Sequence, residues 1–397
     1  MNPTDITAGQ DEAWMARALK LAERGRYTTM PNPRVGCVLV KHGKHLADGY
    51  HQRAGEPHAE VHALEAAGEH ARGATAYVTL EPCSHQGRTG PCCDALIRAG
   101  VARVVVAMQD PNPQVAGRGI ARLRDAGVEV RLGCLEADAQ VLNAGFVSRM
   151  TRGRPRVSLK LAMSLDGRTA MASGESQWIT GAEARRDVQR LRAQSCAILT
   201  GVDSIIFDNS RLTVRADQLG LDDAEVIARR QPLRVVVDSR LRMPLAAACL
   251  SEPGETLVVC VEGSESARRD ALMRSGARVL EMPAGDDGRV DLGALLKWLG
   301  DEGGCNELLV ETGATLAGAL MDACLVDELR LYMAPTLLGS DARGLMALSG
   351  IERMAEQRPL EILDIRALGK DWRILARPAL AACAEHRPDE SHRGPGS

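Results

Sequence analysis

A histidine, a glutamate and two cysteines in the first hundred residues constrain this chain more than anything else in it. Pro57-His58-Ala59-Glu60 is followed by Glu81-Pro82-Cys83 and then by Gly90-Pro91-Cys92. One imidazole and two thiolates can hold a zinc ion while leaving its fourth position open for water. A carboxylate two residues after the histidine can then move protons for that water. Any fold adopted by the chain must bring these three segments to one point.

Local sequence supports that convergence. Pro57 and Pro91 read as first residues of helices, where proline is favoured. The stretches 58–68 and 92–100 carry apolar residues at helical spacing and end in glycine. Both helices are then expected to direct their unpaired N–H groups and partial positive charge at the metal loop. Such a field lowers thiol pKa values and favours the thiolate. Residues 76–80 form an apolar run short enough for a buried strand. The ligands would thus come from one strand end and two helix starts.

Other uses of these residues are weaker. A structural zinc needs a fourth protein ligand, for which Cys93, His85 and His62 are candidates. His58 and His62 share a helix face as in a zinc protease, but that motif places its glutamate directly after the first histidine, where this chain has Ala59. A glutamate in a helix's first turn is commonly a surface residue, so the role of Glu60 rests on the metal. Cys37, Cys134, Cys196, Cys249, Cys260, Cys305, Cys324 and Cys383 read as small buried side chains. One His, two Cys and a Glu that is no ligand is the layout of zinc deaminases acting on nucleobases. That signature has two residues between its cysteines; here there are eight.

Composition narrows the substrate. A chain of 397 residues accommodates two domains. Its net charge of −3 provides no polycation for a nucleic-acid backbone. Aromatics are 3% of residues, with two phenylalanines, so stacking platforms for single strands are scarce. A free small molecule is therefore favoured over DNA or tRNA. Eleven cysteines, an odd number, suit a reducing compartment. No signal peptide precedes the first helix and no apolar stretch is long enough for a bilayer, which places the protein in the cytoplasm and away from membranes.

Seven of the nine histidines fall at or before His85, and the others, His386 and His392, are near the end. Whatever the second half does, it does without histidine. The basic segment Arg149-Met150-Thr151-Arg152-Gly153-Arg154-Pro155-Arg156 reads as a junction, giving domains 1–152 and 153–380 and a polar, disordered tail 381–397. In the first domain an amphipathic helix over 11–23 turns Trp14, Met15, Ala18, Leu19 and Leu21 inward. A hairpin over 35–40 and 46–50 turns at His42-Gly43-Lys44. A strand over 102–108, a helix near 119–126 and a strand around Val128 follow the zinc segments. In the second domain, strands over 157–162, 197–200, 233–237, 256–261, 278–280 and 307–310 alternate with helical segments. This predicts an α/β fold with a largely parallel sheet covered on both faces.

The last of those strands runs into Glu311-Thr312-Gly313-Ala314-Thr315-Leu316-Ala317-Gly318, a glycine turn and helix start that can receive phosphate or serve as an ordinary connection. The G-x-G-x-x-G fingerprint is absent. After strand 233–237, Ser239 and Arg240 offer a hydroxyl and a guanidinium, suited to the extra phosphate of NADPH or to a solvated turn.

As a group the residues resemble the bifunctional riboflavin-biosynthesis deaminase–reductase family, over about residues 11–376. The resemblance is carried by Thr29-Met30-Pro31-Asn32-Pro33-Arg34-Val35-Gly36, Glu56-Pro57-His58-Ala59-Glu60-Val61-His62 and Leu80-Glu81-Pro82-Cys83-Ser84-His85-Gln86-Gly87-Arg88-Thr89. It continues in Met108-Gln109-Asp110-Pro111-Asn112-Pro113, Ser164-Leu165-Asp166-Gly167-Arg168, Gly174-Glu175-Ser176-Gln177-Trp178-Ile179-Thr180 and Leu338-Gly339-Ser340-Asp341. The long gap between Cys83 and Cys92 also belongs to that family's deaminase half.

The resemblance implies an N-terminal cytidine-deaminase-like α/β/α domain and a C-terminal dihydrofolate-reductase-like α/β domain. It implies zinc-dependent hydrolytic deamination of a phosphoribosylated diaminopyrimidinone, then NADPH-dependent reduction of its ribosyl group to ribityl. His58, Cys83 and Cys92 would hold zinc, Glu60 would shuttle protons, and Asn32 lies in the base-holding loop. Ala162, Trp178, Ser204, Asp208, Ser239 and the turn Gly313, Ala314, Thr315, Leu316, Ala317, Gly318 and Ala319 would contact NADPH. Ser176, Arg192, Leu212, Arg215 and Glu311 would contact substrate, the arginines facing its phosphate. Apart from the resemblance, Arg192 reads as one of several solvated arginines on a helix and Trp178 as core. Lys160 and Asp166 are both candidates for protonating the sugar oxygen. The chain departs from the family pattern at Asp208-Asn209-Ser210 (commonly Asp-Asp-Pro), at Ala314 (commonly Pro) and at Gly90 (Pro). A deaminase with an idle reductase half, a nucleic-acid deaminase and a non-catalytic zinc scaffold are the alternatives; homo-oligomerisation is left open.

Overall fold

The computed structural model describes residues 8–84 and 90–379. The motif residues His85, Gln86, Gly87, Arg88 and Thr89, as well as Cys383 and the expected tail 381–397, lie outside the described residues. The chain divides into two units: one comprises the residues up to Pro155 with Leu299–Asn306, the other Arg156–Trp298 and the chain from Glu307.

The first unit runs through α1 (Ala8–Ala22), β1 (Gly36–Lys41), β2 (Lys44–Tyr50), α2 (Ala59–Ala67), β3 (Thr75–Val78), α3 (Cys92–Ala99), β4 (Arg103–Val106), α4 (Arg118–Asp125), β5 (Glu129–Leu132), α5 (Glu136–Leu142) and α6 (Ala144–Arg152). Its sheet has the order β2-β1-β3-β4-β5, with β1 antiparallel to both neighbours and β3, β4 and β5 parallel. Successive side chains of a strand point to opposite faces. Along β1, Cys37 and Leu39 therefore pack with Ala63 of α2, Leu96 of α3 and Leu123 of α4. Val38 and Val40 pack on the other face with Met15 of α1, Ala139 of α5 and Phe146 of α6. Burial on both faces explains why these strands read as unbroken apolar runs. The result is a three-layered α/β/α unit.

Three details differ from the sequence reading. Arg149 and Arg152 belong to the last turn of α6, where cations complement the helix dipole, so the junction shrinks to the residues before β6. Cys196 and Cys324 are half-buried, not core. In α1, Trp14 and Leu19 are half-buried, whereas Asp11 is wholly buried. Its Oδ1 accepts from Arg103 Nη1 at 2.9 Å and from the Tyr77 hydroxyl at 2.8 Å, and its Oδ2 from Arg103 Nη2 and Arg131. An acid on the inner face breaks the apolar periodicity, and only its tertiary partners make it tolerable.

The chain continues through β6 (Arg156–Ser164), β7 (Arg168–Ala170), α7 (Ala182–Gln194), β8 (Ala197–Gly201), α8 (Val202–Asp208), α9 (Ala224–Ala228), β9 (Leu233–Val237) and α10 (Ala248–Ser251). Then follow β10 (Thr256–Val261), α11 (Ser266–Arg274), β11 (Arg278–Met282), α12 (Leu292–Asp301), β12 (Glu307–Glu311), α13 (Ala314–Asp322), β13 (Glu328–Ala334), β14 (Arg343–Gly344), β15 (Leu360–Leu368) and β16 (Asp371–Pro378). Nine strands form a sheet ordered β11-β10-β9-β8-β12-β6-β13-β16-β15. The six expected strands are all in its parallel part. The closing antiparallel group, with β16 between β13 and β15, is absent from the sequence reading. In β15 a bulge at Leu363 puts Leu360, Ile362, Ile365 and Ala367 on one face and Glu361, Asp364 and Arg366 on the other, so the apolar residues do not alternate evenly along the sequence. Chain order reverses where β12 enters between β8 and β6. Ligands of open α/β sheets bind beyond the carboxyl ends of strands at such a point.

Burial alone would raise the Asp11 carboxyl, but hydrogen bonds from Arg103, Tyr77 and Arg131 outweigh it and hold the group below its ordinary value of 3.8. Its contribution to stability is thus present above pH 3.8 and lost as pH falls through the lower folded value. Asp11→Asn should cost about 3 kcal/mol at neutral pH, measured by urea unfolding. The difference from wild type should narrow below pH 3.8.

Candidate active sites

His58 caps α2 in extended backbone, and Cys92 opens α3 with Pro91 as its cap. The two prolines therefore stand just before their helices, not at the first helical residue. Pro91 keeps its ring-fixed φ of −55° while ψ remains extended at 135°. The first N–H of α3 donates to Cys83 Sγ at 3.3 Å. His58 Nδ1 lies 3.3 Å from Cys92 Sγ and 3.6 Å from Cys83 Sγ. Nitrogen and sulfur ligands of a tetrahedral zinc stand about 3.5 Å apart, so the trio fits the ion as it is.

Among the described residues this is the one set of His, Cys and acidic side chains close enough to hold a metal. Cys93, a candidate fourth ligand, packs in the core and turns its thiol to Asp94. His62 is not in the set either. The Cys92 thiol, its N–H and the His58 imidazole together pull Cys83 down to about 4. Cys92, as the donor, is pushed upward. A cation bound here favours the thiolate form of both cysteines and releases their protons.

Glu60 lies in the first turn of α2 and is buried, with Oε2 lacking a hydrogen-bond partner among the described residues. It is not a surface glutamate. Burial pushes its carboxyl up to about 7, where it can take and release a proton near neutrality.

Two further residues escaped the sequence reading. His51 is 2% exposed. Its Nδ1 lies 3.1 Å from the Pro57 carbonyl, which can only accept, so Nδ1 carries the proton. Its Nε2, 3.1 Å from Asn32 Nδ2, then accepts from that amide, leaving the Asn32 oxygen as a free acceptor. Burial lowers the His51 pKa and keeps the ring neutral. No periodicity or spacing marks this histidine; only its neighbours do.

Glu81, legible only as part of a motif, gathers four backbone donors. Gly119 N and Ile120 N reach Oε1 at 2.9 and 3.2 Å, and Gly117 N and Asp110 N reach Oε2 at 2.9 and 3.2 Å. It ties the Cys83 segment to the start of α4. Gly119 permits the approach, because a Cβ there would stand 2.1 Å from the Pro82 oxygen.

In the second unit β6, β8, β9 and β12 carry the expected residues to their carboxyl ends. Ala162 is in β6, Ser204 and Asp208 are in α8, and Ser239 follows β9. Gly313 caps α13, and Ala314, Thr315, Leu316, Ala317, Gly318 and Ala319 form its first turns. Gly313 has φ −82°, so this turn does not use the left-handed freedom of glycine. Asn209 takes the left-handed cap of α8 at φ 46° and accepts from Ala248 N at 2.9 Å, a conformation that asparagine tolerates.

Arg192 is not solvated: its side chain is 13% exposed and grips Glu311, Nε to Oε1 at 2.6 Å and Nη2 to Oε2 at 3.0 Å. Its Nη1 donates to Thr213 O at 3.0 Å. Lys160 Nζ stands 3.9 Å from Glu311 Oε2. Burial opposes ionisation of Glu311, but Arg192 and Lys160 prevail and hold its pKa low. Lys160 is lowered, by burial first and by Arg192 beside it.

Ser176 Oγ donates to Asp208 Oδ1 at 3.1 Å. Leu212 is buried at φ 54°, a strained backbone for leucine. Among the described residues the Arg215 guanidinium has one side-chain hydrogen bond, a 3.4 Å contact with Gln218. Trp178 is 67% exposed, which excludes a core role, and Arg185 lies 4.9 Å over its ring. Ser239 is joined to this group by no hydrogen bond among the described residues; its hydroxyl accepts from Val290 N.

Residues 8–108 match the cytidine and deoxycytidylate deaminase zinc-binding region, and residues 155–374 match the RibD C-terminal domain. The chain is 56% identical over 365 residues to the riboflavin biosynthesis protein RibD of Escherichia coli K12, covering 91% of this chain and 98% of that protein. With the Haemophilus influenzae RibD it shares 47% over 378 residues, covering 94% and 98%. The solved Acinetobacter baumannii RibD, form 1, superposes with a TM-score of 0.87 at 47% identity, over 94% of this chain and 100% of that one. A Thermotoga maritima diaminohydroxyphosphoribosylaminopyrimidine deaminase/5-amino-6-(5-phosphoribosylamino)uracil reductase gives a TM-score of 0.79 at 30% identity, over 94% and 99%.

The four bonds to Glu81 make it the support of a ligand segment. Glu81→Gln should weaken zinc retention about tenfold in chelator competition; a variant that holds zinc as tightly as wild type refutes that role.

Proposed function

The chain belongs to the RibD family of riboflavin biosynthesis proteins, and from that premise we propose how its residues divide two reactions. It is a bifunctional enzyme of riboflavin biosynthesis, a zinc deaminase and a reductase in one chain, acting on a small molecule. On our reading residues 1–152 carry the deamination and 153–380 the reduction. The observation that supports it most is the trio His58, Cys83 and Cys92 beside the buried Glu60 carboxylate, whose Oε2 has no partner among the described residues.

A zinc ion on that trio supplies, when bound, a Lewis acid that brings the pKa of water towards neutrality. Glu60 Oε2 takes the proton of the attacking water and delivers it to the nitrogen that leaves as ammonia. The ring carbon thereby exchanges its amino group for oxygen. The Asn32 oxygen, oriented by His51, accepts an N–H of the pyrimidine.

For the second reaction a nicotinamide cofactor, NADPH on this reading, supplies hydride. Ala162, Trp178, Ser204, Asp208 and the first turns of α13 hold it, and Ser239 with Arg240 receives its extra phosphate. Three of the Arg192 donors are engaged by Glu311 and Thr213. Arg215 is therefore the arginine that meets the substrate phosphate, while Arg192 sets the Glu311 carboxylate against substrate beside Ser176 and Leu212. Lys160 protonates the sugar oxygen as the ring opens to an iminium, its shielding making the proton easier to give. The former anomeric carbon is then the electrophile to which a bound cofactor would supply its hydride.

Assembly of Lys160, Arg192 and Glu311 argues against an idle second half. No helix among the described residues is long and apolar enough to cross a membrane. The described cysteines are free thiols, in keeping with a reducing, cytoplasmic setting.

The decisive assay is ammonia release from the diaminopyrimidinone followed by NADPH oxidation on the deaminated product. Glu60→Gln should retain zinc yet lose about a thousandfold in ammonia release, leaving reduction of the deaminated product intact. Full ammonia release by that variant would point to a zinc scaffold instead. Lys160→Gln should slow NADPH oxidation about a hundredfold without affecting ammonia release; an unchanged rate removes Lys160 as the donor.

A further inference from the structure

Two sequence motifs, Ser164-Leu165-Asp166-Gly167-Arg168 and Leu338-Gly339-Ser340-Asp341, take no part in the reactions as derived above. The structure joins them. Leu165 N–H donates to Thr336 O at 2.8 Å. The Asp166 carboxylate accepts Leu338 N–H at 3.2 Å on each oxygen and Gly339 N–H at 2.8 Å on Oδ2. The buried Ser164 hydroxyl donates to its Oδ1. An ionised acceptor facing backbone N–H groups makes strong, charge-assisted bonds.

Each motif leads into a different part of the reductive site. After Asp166 the chain passes through β7 to Ser176 and Trp178, and Ser176 is bonded to Asp208. After Gly339 the chain pairs with β7 through β14, and Arg168 Nη1 donates to Ala342 O at 3.3 Å. Ala347 N–H then donates to the carbonyl of Ala314, the first residue of α13, at 3.1 Å. Gly318 makes room for this contact, since a Cβ there would stand 1.9 Å from the Ala347 oxygen. One loop thus bears Ser176 and Trp178 while the other lies on the helix turn assigned to the cofactor.

Asp166 is exposed, so its bonds compete with water and add little to global stability. Their effect falls on which arrangement of the two loops is populated. The Ser164 hydroxyl first, and then the Gly339 and Leu338 N–H groups, hold the carboxyl down to about 2. It is therefore an acceptor at neutral pH, with no proton for the sugar oxygen.

We infer that Asp166 is a positioning residue of the reduction, a clasp that sets the loop bearing Ser176 and Trp178 against the loop lying on α13. The inference rests on the reductive site proposed above.

Full-length wild type, Asp166→Asn and Asp166→Ala would be assayed for both reactions, ammonia release serving as the measure of folding. The KM for NADPH should rise about tenfold in Asp166→Asn and further in Asp166→Ala. Single-turnover hydride transfer at saturating NADPH should fall less than about threefold, with its pH profile unmoved. A merely structural defect would lower active enzyme without shifting KM, and that outcome overturns the clasp. A loss confined to the chemical step with a displaced pH profile would make Asp166 a proton donor, and also overturns it. Wild type that fails to oxidise NADPH sinks the reductive reading and the clasp with it; working wild type with unaltered variants sinks the clasp alone. Should the Asp166 variants not fold, Ser164→Ala removes one donor while keeping the charge. It should raise the KM about threefold, and an unchanged KM refutes the inference.

Discussion

Three soft or borderline donors held within bonding distance of one another are the constraint on which the first unit depends. His58 Nδ1 and the two sulfurs meet because β3 leads to Cys83 at the point where α2 and α3 begin. Unpaired N–H groups at a helix start favour the thiolate, and the first N–H of α3 acts directly on Cys83. The same convergence buries Glu60, and burial is what moves its carboxyl to the value a proton shuttle needs. Binding and acid–base chemistry thus have one cause, the closeness of two helix ends to one strand end. Glu81 shows how that closeness is maintained, by a carboxylate shared among four backbone donors of the adjoining segment.

The second unit solves a different problem without histidine. Glu311 lies between Arg192 and Lys160, two cations to one anion, in a place largely shielded from water. Shielded charges are costly unless paired, and here the pairing leaves an excess of positive charge beside Arg215. That excess suits a phosphorylated substrate and lowers the proton affinity of Lys160. Both units place their chemistry beyond strand ends, where the sheet supplies rigidity and the loops supply the reacting groups. What differs is the source of reactivity, a metal-binding trio in one unit and an unbalanced charge cluster in the other.

Much of this was legible in the chain. The His, Glu and Cys spacing named the metal site, glycine ended α2 and α3 where expected, and apolar runs marked the parallel strands. Histidine distribution separated the chemistry of the two halves. The closing antiparallel strands escaped because a bulge at Leu363 breaks the even alternation of apolar residues along β15. Helix α6 escaped because its arginines read as a basic junction. Asp11 and His51 escaped for the same reason as each other: a lone polar residue in a periodic or strand-end context has no meaning until its partners are known.

The sequence by itself determined which groups are present and in what local order: zinc donors, a nearby carboxylate, helix starts, and runs able to bury themselves. Those depend on residue type and short spacing, which a linear chain displays. Only the tertiary structure decided which nitrogen of His51 carries its proton, that Arg192 faces Glu311, and that Asp166 joins loops more than 170 residues apart. Protonation, pairing and strain arise from burial and from neighbours distant along the chain, and those come into being only when the sheets close.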